Sequence, residues 1–376
     1  MSDVMERVAA RWSPAAGLDD AMLRRIETRA RDADEGRCDL AADIDELRHK
    51  GVLRAILPPS AGGAGVGTTA DGARPCLLLL RQLGRANLSV ARLVEGHINA
   101  VKLIFRYADA SLCRRVADDV AAGALLGVWG ADARPPVTLT RERGVPTLDG
   151  VKRFASGLGI VAAALVTCRT DDGVQLVLAH TTDPDRMDVS AWRMAGMRAT
   201  ASGLYDLTGV RLDAEACVGA PGDYLREPHF EGGVWRYAAA HLGGAEALYT
   251  HMVRELSEAQ RDDDPHQSSR IAEAAIACES ARLWLERASG LVEGEEGQPE
   301  DAAAYALLAR EAVEAACLTV IDKTERALGT MAHDTARPIE RIRRDLSVFL
   351  RQAAPDAKRM RAAGRLVARQ ALPEVL

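Results

Sequence analysis

Aromatic residues are scarce in this 376-residue chain, at 4%, with four phenylalanines, five tryptophans and six tyrosines. A core poor in rings must be filled by aliphatic side chains, and the abundant Ala and Leu suit closely packed helices. Seven cysteines (Cys38, Cys76, Cys113, Cys168, Cys217, Cys278, Cys317) are scattered, odd in number and without a CxxC pair. That argues against a disulfide framework and reads as reduced, mostly buried thiols in a cytoplasmic protein. No apolar run approaches the roughly 18 residues of a membrane span, so no membrane partner is expected. The first residues, Met1-Ser-Asp-Val-Met-Glu-Arg7, lack the basic stretch and apolar core of a secretory signal. Nor is there a basic excess: 48 Lys and Arg against 54 Asp and Glu give a formal net charge of −6, which argues against a nucleic-acid partner. No metal-ligand constellation and no Ser-His-Asp spacing is present.

What is present is a helical chain interrupted by one β block. Between Leu125 and Asp223, short Val-, Ile- and Leu-rich runs such as 160–168 and 174–179 are broken by Asp-Gly, Ser-Gly and Asp-Asp-Gly. Such spacing predicts a small barrel or sandwich, with Asp149-Gly150 as a hairpin turn and 204–212 as one further strand. Outside the block, apolar residues recur at helical spacing. Helices are predicted within 18–50, over 75–86, 89–107 and 110–122, and from 234 to about 288 with a break at Asp262–Pro265. Three more follow over 299–329, 339–352 and 356–371. The Gly-rich run 58–67 lacks the Lys-Ser/Thr of a phosphate loop and reads as a connection. Ala- and Arg-rich usage fits a GC-rich bacterial genome.

Several segments, in this order, resemble the acyl-CoA dehydrogenase superfamily. Leu125 to Asp132 is similar to its first barrel strand, Phe154-Ala-Ser156 to its Trp-x-Thr element, and Gly196 to Ser202 to its Gly-x-Arg-x-Ser-x-Thr element. Arg261 stands at the family's phosphate-binding Arg, Ala327 to Thr330 at its Gly-Gly turn, and Arg337 to Asp345 at its Pro-x-x-Arg-x-x-Arg-Asp helix start. The resemblance implies a mainly α fold with a central β-barrel: a helical domain (1–123), a middle β-barrel (124–226) and a C-terminal four-helix bundle (227–376). It implies FAD, held by Trp129, Asp132, Phe154, Ser156, Arg198, Thr200 and Ser202. The neighbouring subunit of a homodimer or homotetramer would complete the site with Arg261, Gly329 and Thr330. A guanidinium suits a pyrophosphate because its planar fork holds two oxygens at once.

The expected reaction is oxidation of the Cα–Cβ bond of an acyl thioester or related small molecule, with an electron-transfer partner. That needs a carboxylate to accept the α-proton. Yet the usual position, eight residues beyond Arg344-Asp345, holds Ala353, and the alternative region Gly233–Tyr237 holds no carboxylate. The Gly-x-Lys-x-Phe-x-Ser-Gly pattern at 150–157 looks more like the superfamily's flavin-dependent monooxygenases, which take reduced flavin from a separate reductase. A non-catalytic role for the fold is the further alternative. Candidate catalytic groups are His97, Ser156 and Glu231. Glu95 and Asp132 are further candidate bases, but Glu95 and His97, two apart on a helix, point to different faces. His97 and His241 can equally be core residues.

Overall fold

The computed structural model describes residues 18–142, 144–295, 297–352 and 354–373. Ala353 and the first residues therefore lie outside the described part. Among the described residues six α-helices come first: α1 (Asp20–Asp34), α2 (Ala41–His49), α3 (Val52–Ala55), α4 (Ala73–Ala86), α5 (Leu88–Tyr107) and α6 (Ala110–Ala121). Their starts are written in the sequence. Asp19 accepts the Met22 N–H at 2.7 Å, Asn87 that of Ser89 at 2.9 Å and Asp109 that of Leu112 at 2.8 Å, each satisfying a donor the helix leaves open.

Ten strands follow, in two sheets. The larger has seven: β10 (Cys217–Val218), β6 (Gly173–His180), β5 (Ala163–Thr170), β2 (Thr138–Glu142), β3 (Val145–Asp149) and β9 (Val210–Arg211) in order, with β1 (Leu126–Trp129) pairing parallel to β5. The smaller holds β4 (Val151–Ala155), β8 (Gly203–Asp206) and β7 (Met187–Asp188). An isolated bridge, Asp132 to Lys152, joins the two. The result is a curled half-barrel. Asp149-Gly150 is not a hairpin turn, because β3 pairs with β2 and β9 while β4 pairs with β8. It is the corner where the chain changes sheets. Gly150 has φ 124°, and a Cβ there would come within 3.0 Å of the Val137 Cα, so only glycine turns this corner. The expected strand 204–212 is likewise split in two, at residues 207–209.

The C-terminal part comprises α7 (Trp235–Glu258), α8 (Pro265–Gly294), α9 (Pro299–Leu328), α10 (Pro338–Phe349) and α11 (Pro355–Arg369). Four of these five begin at a proline, whose missing N–H costs nothing in a first turn. The Asp262–Pro265 break is a helix start, with Asp264 accepting N–H bonds from His266 and Gln267 at 2.9 and 3.1 Å. Helices α7, α8 and α9 pack on one another, α10 lies against α7, and α11 against α9. Small residues let α4 and α7 meet backbone to backbone. A Cβ on Gly84 would lie 2.3 Å from the Ala240 carbonyl oxygen, and one on Gly243 2.2 Å from that of Arg81. One continuous apolar core runs from α1 to α11, and Trp235 is its largest fully buried side chain.

Candidate functional site

A cavity of about 720 Å³ lies where the end of β1, the β4 strand, α5, the 224–234 segment with the start of α7, and the chain between α10 and α11 converge. Two kinds of wall face it, one from the sheets and one from the helices.

The sheet wall carries Trp129 and Phe154. Phe154 sits where the pairing of β4 with β8 is irregular, with φ 57°, a left-handed conformation that is costly for a ring-bearing residue. The surrounding structure holds the strain and leaves the ring 43% exposed. The Arg153 guanidinium lies 4.3 Å from its centroid, and Trp192 meets it edge-on at 6.0 Å. Trp129 is fixed by its indole N–H, which donates to the Ser156 carbonyl at 3.1 Å. Behind them the hydroxyls of Ser156, Ser202 and Thr200 form a chain at 3.0 and 2.8 Å, and Thr200 donates to the Met197 carbonyl at 2.7 Å. An exposed ring, a buried indole and a backed hydroxyl beside them suit a flat heterocycle with polar edges, the shape and chemistry of an isoalloxazine.

Two of the expected flavin contacts are engaged elsewhere. Asp132 pairs with the buried Lys152 at 2.5 Å and does not line the cavity. Lys152 also donates to Thr167 at 2.9 Å, and Thr167 to the Gly130 carbonyl at 3.0 Å, so this ion pair fastens the end of β1. Burial pulls the Lys152 ammonium below its usual range against the opposing pull of Asp132. Arg198 faces a second cleft, of about 680 Å³, between α1 and α10. It shares Asp34 with Arg344, whose guanidinium is 2.7 Å from the same carboxylate. Asp345 accepts the Met197 N–H at 2.6 Å, and a Cβ on Gly196 would stand 2.4 Å from the Arg344 carbonyl oxygen. The Arg-Asp pair thus knits α1, α10 and the 196–202 segment together. Thr200 and Ser202 are buried, and Ser156, which Ser202 reaches, lies outside the cavity lining with them.

Arg261 is exposed and reaches the Ala327 carbonyl at 3.4 Å, next to the exposed Gly329-Thr330 turn. The three residues form one surface, away from this chain's own cavity lining.

His97 is fully buried between the Leu53 carbonyl, 3.3 Å away, and the Leu126 N–H, which its Nδ1 accepts at 3.1 Å. It ties α5 to α3 and β1 and lies outside the cavity lining. Burial lowers its pKa to about 4. Its neighbour Glu95 is the one that lines the cavity, as positions two apart on a helix require. Glu95 accepts Asn99 at 2.5 Å on one oxygen and Arg92 at 2.6 Å on the other. Glu231 also lines the cavity, and Arg361 of α11 holds both of its oxygens. His241 is core: its ring packs edge-on against Phe349 at 4.3 Å, and burial lowers its pKa to about 3.

The helical wall contains groups that motif reading passed over. Lys102 and Arg236 both pair with the fully buried Glu293, which also accepts the Trp235 indole N–H at 3.0 Å. Burial pushes the Glu293 carboxyl up, but the two cations outweigh it and hold it below the usual range. Lys102, flanked by Val101, Leu103 and Ile104, was the visible signal: a charge inside an apolar stretch needs a buried partner. Tyr224 and Tyr237 also line the cavity, and burial raises both phenols, Tyr224 to about 12. Glu227, pushed by burial up to about 7, accepts the N–H of Glu231 at 3.0 Å and shapes the 224–234 segment. Among the described residues no His, Cys, Asp and Glu group could hold a metal ion, and no helix is long and apolar enough to cross a membrane.

Known proteins give this arrangement a context. Residues 236–356 match the family model of the acyl-CoA dehydrogenase C-terminal domain. The putative acyl-CoA dehydrogenase YdbM of Bacillus subtilis (strain 168) is 26% identical over 355 residues, which cover 88% of this chain and 90% of that protein. Among solved structures, KijD3 in complex with FMN and a dTDP-linked amino-keto sugar superposes with a TM-score of 0.80 at 19% identity, covering 97% of this chain and 93% of that one. The dibenzothiophene monooxygenase TdsC of Paenibacillus sp. A11-2 gives a TM-score of 0.78 at 18% identity and covers 98% of both chains; it has also been solved with FMN and indole. The solved structures share the fold along nearly the whole chain, and the acyl-CoA dehydrogenase family model matches its C-terminal part.

Proposed function

We propose that this chain is a flavin-dependent monooxygenase of the acyl-CoA dehydrogenase superfamily, acting on a small molecule with reduced flavin delivered by a separate reductase. One observation carries the reading: the two carboxylates that line the described cavity, Glu95 and Glu231, each have both oxygens engaged by other side chains. Thioester dehydrogenation needs a free carboxylate for the α-proton, whereas oxygen transfer does not. The usual position holds Ala353. That TdsC is a monooxygenase and that KijD3 binds FMN support the same reading.

When bound and reduced, a flavin would supply, with dioxygen, the oxygen atom transferred to the substrate. Trp129 and Phe154 would cover its ring, and the Ser156 hydroxyl, held by Ser202 and Thr200, would bond a polar ring edge. His97 would act at one remove, by fixing β1 and Trp129 against α5. Glu231 with Arg361 would hold the 224–234 segment and α11 closed over the cavity, keeping water out. The Arg261, Gly329 and Thr330 surface favours FAD over FMN, its adenosine end completed by a neighbouring subunit of a homodimer or homotetramer. In this reading residues 1–123, 124–226 and 227–376 are the three domains, the last a four-helix bundle.

Arg261→Ala should lower FAD affinity about tenfold or more, as expected for losing a charge-assisted bidentate contact, and leave FMN affinity unaltered. Equal FAD content in the purified variant and the parent would remove Arg261 from the site. The similarity to YdbM favours one second reading, dehydrogenation with a displaced base, and Glu231 released from Arg361 is its candidate.

A further inference from the structure

The helical wall of the cavity holds polar atoms that the protein does not satisfy. The Tyr237 hydroxyl is buried and makes no hydrogen bond. The Arg310 guanidinium lies nearby with its Nε–H also unpaired, its NH1 on Glu311 and Glu314 and its NH2 on the Leu350 carbonyl, but a guanidinium only donates and offers the phenol hydrogen no acceptor. Arg236 gives its NH1 to Asn99 at 3.2 Å and its NH2 to Glu293, which leaves its Nε–H unaccepted. Both ring nitrogens of His229 also lack a hydrogen bond, although Glu295 lies 3.4 Å from one of them. All three residues line the same cavity and are more than nine-tenths buried. A buried polar group left unpaired costs on the order of 1–3 kcal/mol, so three on one wall favour an occupant, water or ligand, that accepts from them. Each can donate. An occupant that satisfies them presents acceptor atoms, and a fatty-acyl tail has none.

We propose that Tyr237 is a substrate-positioning residue, donating its hydroxyl hydrogen to an acceptor oxygen on a compact polar substrate, with the Arg236 Nε–H as a second donor on the same wall. This rests on the monooxygenase reading and narrows it to oxygen-bearing substrates rather than long acyl chains. Burial keeps the phenol protonated far above neutral pH, so the donor is present throughout the working range. The residue was hidden in the sequence because Gly233–Tyr237 invites a search for a carboxylate, and a missing partner shows only in three dimensions.

The test uses the full-length protein loaded with FAD and two probes of one ring size, indole and 2-oxindole, which differ by a carbonyl. Titration by flavin absorbance should show 2-oxindole binding about tenfold tighter, the worth of one buried hydrogen bond. Tyr237→Phe should erase that preference and leave indole affinity and flavin content unaltered. The ligand-free variant should melt no lower than the parent, because a hydroxyl without a partner is removed. Equal affinity for the two probes, binding of neither, a preference that survives in Tyr237→Phe, or a lowered melting point would each overturn the assignment. Failure of the parent protein to load flavin would instead sink the functional reading, and the absorbance reports it separately.

Discussion

The two walls of the cavity are built on opposite principles. The sheet wall is satisfied: Trp129 has its acceptor, the Ser156–Ser202–Thr200 chain ends on a carbonyl, and Lys152 is matched by Asp132. What it offers is a strained ring, Phe154, presented on a fixed frame. The helical wall is anchored by the charged Lys102–Glu293–Arg236 cluster and leaves donors unpaired. A satisfied wall suits a ligand that never changes. A wall with spare donors suits one that comes and goes and brings its own acceptors. Under the proposed function, the contrast would put cofactor and substrate on different secondary structures.

The largest effect should come from breaking the anchor of the helical wall. Glu293→Ala leaves two cations buried without their partner, and such losses cost about 3–5 kcal/mol. Urea unfolding should show it; a loss below 1 kcal/mol would mean that Lys102 and Arg236 are solvated and the wall is looser than described. Next comes the joint between α5 and β1. The His97 pKa is about 4 in the fold against an ordinary 6.5. The unfolded chain therefore takes up the proton first. The stability tied to the neutral ring is complete above pH 6.5 and is lost as pH falls through 4, on the order of 3 kcal/mol in all. His97→Gln should flatten the stability profile between pH 6.5 and 4; an unaltered slope would place the acid sensitivity elsewhere. Smallest in stability, though not in function, is Phe154→Gly. It removes the left-handed strain along with the ring, so the melting point should hold within about 2 °C while flavin affinity drops about tenfold from lost stacking. A variant that keeps full flavin affinity would show that the sheet wall is not the cofactor's.

Much of this architecture was legible in the chain. Helix positions followed from apolar spacing and from Asp, Asn and Pro at the starts, because those signals are local. Asp149-Gly150 misled because a hairpin and a sheet-changing corner demand the same backbone at glycine, and only strand pairing separates them. Phe154 and Trp129, singled out by motif position, and Glu231, singled out as a carboxylate near the alternative base region, line the cavity. Asp132, Arg198 and His97, expected in the site, lie outside the cavity lining, with their side chains committed to Lys152, Asp34 and two backbone groups. A motif fixes where a residue lies; its partners come from elements distant in sequence. Tyr237 and Glu293 went unseen for the same reason, since what marks them is a missing partner in one case and two buried cations in the other.

The most direct measurement is the visible spectrum of the flavin-loaded protein during anaerobic titration with acyl-CoA thioesters, followed by aerobic turnover with NADH and a flavin reductase. The flavin should stay oxidised with every thioester, and oxygen should be incorporated into a small polar substrate only when reduced flavin is supplied. Bleaching of the flavin by any acyl-CoA in the absence of oxygen would contradict it and return the protein to dehydrogenation, with the search turning to a carboxylate freed from its arginine.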